Sequence, residues 1–307
     1  MTSMRPAVRL PALGVGTWAW GDTAYWGPGA VAGAGVVDAF VASLAAGVRL
    51  FDTAEVYGHG ASEKSVGVLG ERSGEALVLA TKFAPLRGRG GARALRPALK
   101  ASLARLRVPR VDLYQVHWAD FEEASIDDLM GAMADVVAED LVAGVGVSNF
   151  SAHELRAAHA ALARRGIALT SNQVRYNALH RDPERDGVRD ACLELGVTLL
   201  AYGPLEQGIL AGTYAPGAVL AGRRAQAAWF TDDALRAAQP LVALLRDLAA
   251  ERGVPMEQVA LNWLRAKPGV VPLPGARSGA QAARNAGALA WTLDAEAAAR
   301  IDRWGRG

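Results

Sequence analysis

Four polar side chains that could transfer a proton follow three successive apolar segments of the sequence. Asp52 and Tyr57 come after the apolar segment that ends at Phe51, Lys82 comes after the next one, and His117 after the third. A phenol with a pKa of about 10 is a weak acid at neutral pH, but a nearby ammonium stabilises its phenolate and lowers that pKa. Lys82 can supply this charge, Asp52 can hold Lys82 by an ion pair, and His117 can hydrogen-bond to a carbonyl oxygen. The residues therefore predict proton delivery from Tyr57 to a carbonyl oxygen while hydride arrives at the carbon.

Apolar strands alternate with amphipathic helices along most of the chain. Residues 77–81 have the composition of a strand, the apolar positions of residues 95–106 fall on one helix face, and residues 111–116 form the next strand. Eight parallel strands, each followed by a helix, are typical of a closed (β/α)8 TIM barrel, in which the strands end at one rim. The pattern therefore predicts this α/β fold, with the four polar side chains converging at the rim. The predicted strands are residues 12–16, 48–51, 77–81, 111–116, 144–147, 168–172, 197–201 and 270–273.

Taken singly, each of the four residues has a commoner structural explanation. Asp52 would cap a loop, Tyr57 would be an aromatic residue at the rim, Lys82 a solvated charge, and His117 a core histidine with its hydrogen bonds satisfied. Their coincidence at the ends of predicted barrel strands favours the catalytic interpretation.

Two segments depart from the strand–helix alternation. Residues 205–232, after strand seven, contain Gly and Pro and are long for a barrel loop, and long ordered loops are usually functional. We expect this loop to be a lid that closes over a bound dinucleotide. After Asn285 the chain adds a predicted helix, residues 294–304, whose apolar positions would pack on the barrel exterior. Because no low-complexity linker divides the chain, residues 1–307 are predicted to form a single domain.

The apolar stretch over residues 31–48 is interrupted by Asp38 and Ser43. Its residues Val37, Phe40, Val41 and Leu44 fall at i, i+3, i+4 and i+7, which predicts an amphipathic core helix with these four on one face. Gly47 follows as its expected C-cap, so the stretch is not a membrane span.

A doubly wound dinucleotide-binding sheet is the competing α/β architecture, because residues 27–35 are rich in glycine. The glycines at 27, 29, 33 and 35 do not have GxGxxG spacing, no clear strand precedes them, and the chain contains no GxxxxGK[ST] motif. A dinucleotide bound by this chain would therefore need another scaffold.

Composition excludes several classes of protein. The 307 residues carry a net charge of +2, which provides no general electrostatic field for nucleic acid or for an anionic membrane. The single cysteine, Cys192, excludes an internal disulfide framework, and no set of ligands has the spacing of a catalytic metal site. The first 16 residues, broken by Pro6 and Pro11, contain no signal-type apolar region. We expect a cytoplasmic protein with a small-molecule substrate, no metal and no obligate protein partner.

Four ordered motifs resemble those of the aldo-keto reductase superfamily. They are DTAEVYGHGASE at 52–63, TK at 81–82, DLYQVH at 112–117 and GVSNF at 146–150. The resemblance runs from residue 13 to residue 285, and it implies a (β/α)8 barrel with Asp52, Tyr57, Lys82 and His117 as the catalytic tetrad. A weaker resemblance, in GTWAWGD at 16–22, points to a branch of the superfamily that includes pyridoxal reductases.

The same resemblance implies a nicotinamide cofactor, NADP(H) rather than NAD(H). Short polar side chains at Ser148, Asn149 and Gln173 would bind the carboxamide, and Tyr202 would stack on the nicotinamide ring. Gly203 stands where many members have Ser. Arg277, beside the start of a helix, suits the 2′-phosphate, which favours NADPH. The implied cofactor contacts are Thr17, Trp18, Ser148, Asn149, Gln173, Tyr202, Gly203, Pro204, Leu205, Gly275, Arg277, Gln281 and Asn285.

Aromatic residues are expected to line the substrate pocket. Trp18 follows strand one, Trp118 follows His117, and Trp229 and Phe230 lie in the long loop. Such walls suit flat or apolar aldehydes. The remaining tryptophans, at 20, 26, 263, 291 and 304, are expected to pack the barrel and its mouth.

Two other functions stay open at the level of sequence. A barrel aldolase would use Lys82 to form a Schiff base with a carbonyl substrate, but a lysine paired with Asp52 stays protonated and cannot attack. A cofactor-sensing subunit of the same superfamily would keep the nucleotide site and turn over slowly.

Overall fold

Eight parallel strands pair in the order of the sequence and form one sheet, from β1 to β8. In the computed structural model, which describes residues 5–26, 33–119, 122–220 and 223–304, a bridge between Gly16 and Gly275 brings the two ends of the sheet together. The predicted (β/α)8 barrel is therefore confirmed. The strands are β1 Gly14–Gly16, β2 Leu50–Asp52, β3 Val78–Phe83, β4 Val111–Val116, β5 Val142–Ser148, β6 Leu169–Arg175, β7 Thr198–Tyr202 and β8 Val270–Leu273.

Helices follow the strands and surround the sheet. They are α1 Thr23–Trp26, α2 Ala34–Ala45, α3 Ala61–Ser73, α4 Leu95–Leu106, α5 Ile126–Ala138, α6 Ala152–Ala163, α7 Asp182–Arg185, α8 Val188–Glu194, α9 Asp232–Arg252, α10 Met256–Arg265, α11 Gly279–Ala286 and α12 Ala295–Trp304. Helix α4 buries the predicted face, and α12 is the predicted C-terminal helix, with Ala297 and Ile301 buried. Of the glycine-rich stretch at 27–35, residues 27–32 lie outside the described residues.

The inside of the barrel changes from apolar to polar along the strands. Because successive strand residues point to opposite faces, Leu113 and Gln115 of β4 both point inward. Leu113 belongs to an apolar cluster with Leu50, Ala80 and Leu200, whereas Gln115 is a buried polar residue. The apolar layer closes the lower part of the barrel, and the polar side chains lie toward the carboxyl ends of the strands.

Helix α2 buries a different face from the one predicted. Phe40 is buried as expected, but Val37 and Val41 are 43% and 57% exposed, and Ala39 and Ser43 take their place against the protein. Helix α2 runs close to α11: a Cβ added at Gly279 would lie 3.1 Å from the Asp38 carbonyl oxygen. Gly47 does follow the helix with a positive φ of 79°.

The long loop after β7 is built from three short 3-10 helices: Glu206–Ala211, Arg223–Gln226 and Ala228–Phe230. Its residues 221 and 222 lie outside the described part of the chain. Within the described residues, no helix has the length and apolar character that crossing a membrane requires.

Candidate active site

The structure brings together the four residues proposed as the tetrad. The Lys82 ammonium donates to Asp52 Oδ2 at 2.7 Å, to the Thr53 carbonyl oxygen at 2.9 Å and to the Tyr57 hydroxyl at 3.2 Å. Lys82 is completely buried, and these three hydrogen bonds use all the donors of an ammonium. The rings of Tyr57 and His117 lie edge to face, with their centroids 5.9 Å apart.

Local backbone geometry sets the position of Tyr57. The residue begins a 3-10 helix in which Gly58 and His59 have positive φ values of 55° and 53°. A Cβ added at Gly58 would lie 2.8 Å from the Gly21 carbonyl oxygen, so this turn packs directly against the loop after β1. Glycine is required at residue 58 for this close approach, and it adopts the left-handed conformation at little cost.

The pKa of Tyr57 differs in direction from the sequence-based prediction. Burial raises the pKa of the phenol and Asp52 adds to that effect; Lys82 lowers the pKa, as expected, but does not outweigh burial. Burial also lowers the pKa of Lys82, but its attraction to Asp52 and Tyr57 leaves the net pKa raised. Both groups therefore hold their protons at neutral pH, which leaves Tyr57 as a protonated donor.

His117 is held in its neutral form. Burial, assisted by the Lys82 charge, lowers the pKa of the imidazole to about 3. Its Nδ1 atom is buried and has no hydrogen-bond partner among the residues that the structure describes. A neutral imidazole keeps one N–H, so His117 can still act as a hydrogen-bond donor at neutral pH.

Acid stability should report the neutral state of His117. The unfolded chain takes up a proton near pH 6.5 and the folded protein only near pH 3, so the unfolded state binds more protons between these values. Stability is therefore lost as the pH falls through this window. We expect the stability of the wild type relative to His117→Phe to fall by about 2–3 kcal/mol between pH 6.5 and pH 4.5, at 1.36 kcal/mol per pKa unit. Urea titrations at both pH values measure this, and a constant difference would contradict it. The exposed His153→Gln is the matched control for loss of a histidine.

The residues predicted to bind a nicotinamide form a connected set beside the tetrad. Asn149, with a left-handed φ of 57°, donates to the His117 carbonyl oxygen at 3.0 Å and accepts from the Tyr202 hydroxyl at 3.1 Å. The Ser148 hydroxyl donates to the Gln173 carbonyl oxygen at 2.8 Å, and Gln173 Nε2 donates to Asp52 Oδ1 at 2.7 Å. Asp52 therefore contacts both Lys82 of the tetrad and Gln173 of the predicted cofactor site.

A cavity of about 580 Å³ opens at the carboxyl ends of the strands. It extends from the tetrad to α11. Of the residues predicted from sequence, those that line it are Trp18, Asp52, Tyr57, His117, Ser148, Asn149, Gln173, Tyr202, Gly203, Pro204, Leu205, Trp229, Gly275, Arg277, Gln281 and Asn285.

Three predicted contact residues lie elsewhere. Thr17 is buried behind the tetrad, where its hydroxyl donates to the Asp52 carbonyl oxygen at 2.8 Å. Trp118 packs on the His117 ring with centroids 4.8 Å apart, but it is not among the residues that line the cavity. Phe230 is buried in an apolar cluster with Ile209 and Leu235, which fixes the loop rather than lining the pocket.

Comparison with known proteins decides the family. The model of the aldo/keto reductase family matches residues 12–306. This chain belongs to the aldo/keto reductase family. The chloroplastic pyridoxal reductase of Arabidopsis thaliana is 35% identical over 293 residues, which cover 92% of this chain and 79% of that protein.

Solved structures of aldo/keto reductases have the same fold. An aldo/keto reductase from Klebsiella pneumoniae, crystallised with NADP and acetate, superposes with a TM-score of 0.75 at 29% identity and covers 96% of this chain and 91% of its own. The glycerol dehydrogenase of Gluconobacter oxydans superposes with a TM-score of 0.84 at 26% identity and covers 98% and 94%. Carbonyl reduction is the general chemistry of this family.

In this aldo/keto reductase, an aromatic wall extends beyond the single tryptophan predicted at β1. Trp18, Tyr25 and Trp26 pack on one another with ring centroids 4.3 to 5.5 Å apart, and Trp18 lies 6.0 Å from Tyr57. Trp26 lines the cavity, so the expectation that it only packs the barrel mouth is wrong. The Arg277 guanidinium lies 5.6 Å from the Trp26 ring, which makes the wall continuous from Tyr57 to Arg277.

Two contacts of the loop after β7 were not predicted from the sequence. Arg175, at the end of β6, pairs with the buried Glu206 and stacks on the Trp229 ring at 4.0 Å. On the other side, Gln207 Nε2 donates to the Tyr25 hydroxyl at 2.9 Å, so the loop meets the aromatic wall. An alternating strand pattern predicts neither contact, because both depend on how the loop folds back over the barrel.

Proposed function

We propose that this protein reduces an aldehyde or ketone reversibly to the alcohol, with NADPH as hydride donor and Tyr57 as proton donor. The observation that carries the proposal is that the buried Lys82 ammonium contacts both Asp52 and the Tyr57 hydroxyl. Of these residues, Tyr57 lines the cavity and can therefore reach a bound substrate. A proton donor next to a fixed positive charge matches the requirement of carbonyl reduction, in which negative charge develops on oxygen.

The cavity offers features that fit a nicotinamide dinucleotide. The Tyr202 ring is 36% exposed and lines the cavity, as a stacking surface requires, and the Asn149 amide lies beside it. Gln207 Oε1 is buried without a hydrogen-bond partner among the described residues, and it can accept from a ligand N–H or O–H. At the far end, Arg277 and Gln281 supply charge and polarity. When bound, the cofactor would supply hydride to the carbonyl carbon.

The proton step assigns a different task to each tetrad residue. Tyr57 donates its proton to the carbonyl oxygen, and the Lys82 N–H that points at the hydroxyl stabilises the phenolate that results. Asp52 keeps Lys82 charged and in place. The neutral His117 donates a hydrogen bond that orients and polarises the carbonyl.

NADPH selectivity is assigned to Arg277, at the start of the segment that leads into α11. Its backbone N–H donates to Gln281 Oε1 at 2.8 Å, and its guanidinium lies over Trp26. A guanidinium paired with a phosphate makes charge-assisted hydrogen bonds worth about 1.5–3 kcal/mol. The similarity to the Klebsiella enzyme crystallised with NADP supports NADP(H) as the cofactor.

Loss of that guanidinium should weaken NADPH binding alone. For Arg277→Ala we expect the Kd for NADPH to rise roughly 10- to 100-fold. The Kd for NADH should stay within about twofold, since NADH has no 2′-phosphate for the guanidinium to bind. Quenching of tryptophan fluorescence measures both constants in one protein, so NADH is the internal control. An equal loss for both cofactors would refute the assignment.

The substrate class follows from the cavity walls. Trp18, Tyr25 and Trp229 line the cavity that contains Tyr57 and His117, and such aromatic surfaces suit flat or apolar aldehydes. The similarity to a pyridoxal reductase makes pyridoxal the first aldehyde to test.

The test of the function is NADPH oxidation, followed by absorbance, with a panel of aromatic and aliphatic aldehydes that includes pyridoxal. Turnover supports reduction, and a preference for aromatic members supports the assigned class. Tight NADPH binding without turnover would favour the cofactor-sensing alternative. The aldolase alternative requires a neutral lysine, whereas the pKa of Lys82 is raised by its pairing with Asp52 and Tyr57 despite burial. Borohydride trapping of a substrate on Lys82 would support the aldolase alternative instead.

A further inference from the structure

Gln115 is a buried amide inside the barrel, in a position where an apolar residue would continue the layer below it. Leu113, two residues earlier on the same face of β4, belongs to the apolar cluster, whereas Gln115 is completely buried and polar. An amide transferred from water to such a place costs free energy unless its hydrogen bonds are satisfied. The partners of Gln115 therefore indicate why an amide is present.

Those partners fix the orientation of the amide. Gln115 Nε2 donates to Asp52 Oδ1 at 3.3 Å, and Gln115 Oε1 accepts from the Ser171 hydroxyl at 3.3 Å. A carboxylate only accepts hydrogen bonds, so the nitrogen has to face Asp52 and the oxygen Ser171. Gly146 leaves room for this arrangement, because a Cβ there would lie 2.3 Å from Ser171 Oγ and 3.0 Å from Gln115 Cγ.

The two oxygens of Asp52 have different partners. Oδ2 accepts from Lys82 at 2.7 Å, while Oδ1 accepts from Gln173 at 2.7 Å and from Gln115 at 3.3 Å. Gln173 lines the cavity and belongs to the proposed cofactor site, whereas Gln115 lies below Asp52 and is not among the residues lining the cavity. Gln115 is therefore placed to hold the carboxylate from beneath whether or not the cavity is filled.

We propose that Gln115 is a positioning residue that fixes the rotation of the Asp52 carboxylate, so that the Lys82 N–H stays directed at the Tyr57 hydroxyl. This inference rests on the proposed function, in which Tyr57 is the proton donor. Without Gln115, Oδ1 of Asp52 keeps only its hydrogen bond from Gln173, so the carboxylate is held from the cavity side alone. When the carboxylate turns, the ammonium follows Oδ2, and the hydrogen bond that stabilises the Tyr57 phenolate lengthens. Gln115 acts through Asp52 and Lys82 and touches neither the substrate nor the cofactor.

The test is Gln115→Met, a nearly isosteric apolar replacement. We expect kcat to fall roughly tenfold, with KM for the aldehyde and Kd for NADPH within about twofold, because the loss affects only the proton step. In alcohol oxidation, which needs the Tyr57 phenolate, the rise of kcat with pH should move up by about one pH unit, the shift equivalent to that tenfold loss. The thermal midpoint should be unchanged or higher, since an apolar side chain replaces a buried amide. Leu113→Met, on the same face of β4, is the matched control and should behave as wild type.

Three results would overturn the inference, and they differ in whether the proposed function also falls. Wild-type kcat and pH profile in Gln115→Met, with Tyr57→Phe inactive, would refute positioning by Gln115 and leave the proposed function standing. A fall in kcat with a lower thermal midpoint and an unmoved pH profile would show a packing role only. Full turnover in Tyr57→Phe would instead refute the proposed function itself. If Gln115→Met does not fold, Ser171→Ala serves the same purpose: an upward shift of the pH profile supports the inference, and an unchanged profile refutes it.

Discussion

Tyr57→Phe is expected to lower kcat for carbonyl reduction by about 10²- to 10⁴-fold, the usual contribution of a positioned acid. The phenol lines the cavity, accepts a hydrogen bond from Lys82 at 3.2 Å, and keeps its proton at neutral pH because burial raises its pKa. Phenylalanine preserves the ring that packs against Trp18 and His117 and removes only the hydroxyl. NADPH binding should therefore stay within about twofold of the wild type, which places the loss in the chemical step.

A matched control for this substitution is Tyr114→Phe. Tyr114 is a buried phenol on strand β4, and its hydroxyl has no hydrogen-bond partner among the described residues. Its removal should leave kcat unchanged and should not lower the thermal midpoint, because no buried hydrogen bond is lost. Single-turnover measurements with saturating NADPH would separate chemistry from cofactor release. Tyr57→Phe turnover close to that of the control would mean that the proton comes from another group.

Periodicity was sufficient to predict the barrel because the strands are buried on both faces and read as short apolar runs. The predicted strand ends differ from the observed ones mainly where polar residues continue a strand. β6, predicted to end at residue 172, ends at Arg175, and β2 includes Asp52. These residues face the cavity, where a strand needs no apolar side chain. The apolar pattern therefore ends before the strand does. The positions that it leaves out are those next to the functional residues.

The errors have a common physical origin in packing between distant segments. On helix α2 the face with Val37 and Val41 was predicted to be buried, but the helix packs closely against α11 and buries Ala39 and Ser43 instead. Phe230 and Trp229 are neighbours in sequence, yet one fixes the loop and the other lines the cavity. The balance of burial against the Lys82 charge at Tyr57 likewise depends on the depth of the site, which residue types alone do not reveal.

The role proposed for Gln115 also depends on packing between distant segments. Its motif, DLYQVH at 112–117, resembles that of the superfamily, but within this motif the sequence predicted chemistry only for His117. Only the register of β4 against its neighbours places the amide under Asp52 and next to Ser171. The sequence did offer one signal, a polar residue at an inward position of a barrel strand. It did not reveal that the partner of this residue is Asp52.

Lys82→Met should destabilise the folded protein by about 3–5 kcal/mol, the usual cost of removing one partner of a buried ion pair. Asp52 and Lys82 are 3% and 0% exposed and 2.7 Å apart, so the variant leaves a buried carboxylate with amide partners but without its counter-charge. Urea unfolding at neutral pH measures the loss.

In the double variant Asp52→Asn/Lys82→Met the buried charge is gone, and most of the stability should return. Turnover should stay lost, since Tyr57 then lacks the ammonium that stabilises its phenolate. A double variant as unstable as the single one would show that Lys82 supports the fold by packing rather than by charge. Recovery of turnover in the double variant would remove Lys82 from the proposed proton transfer altogether.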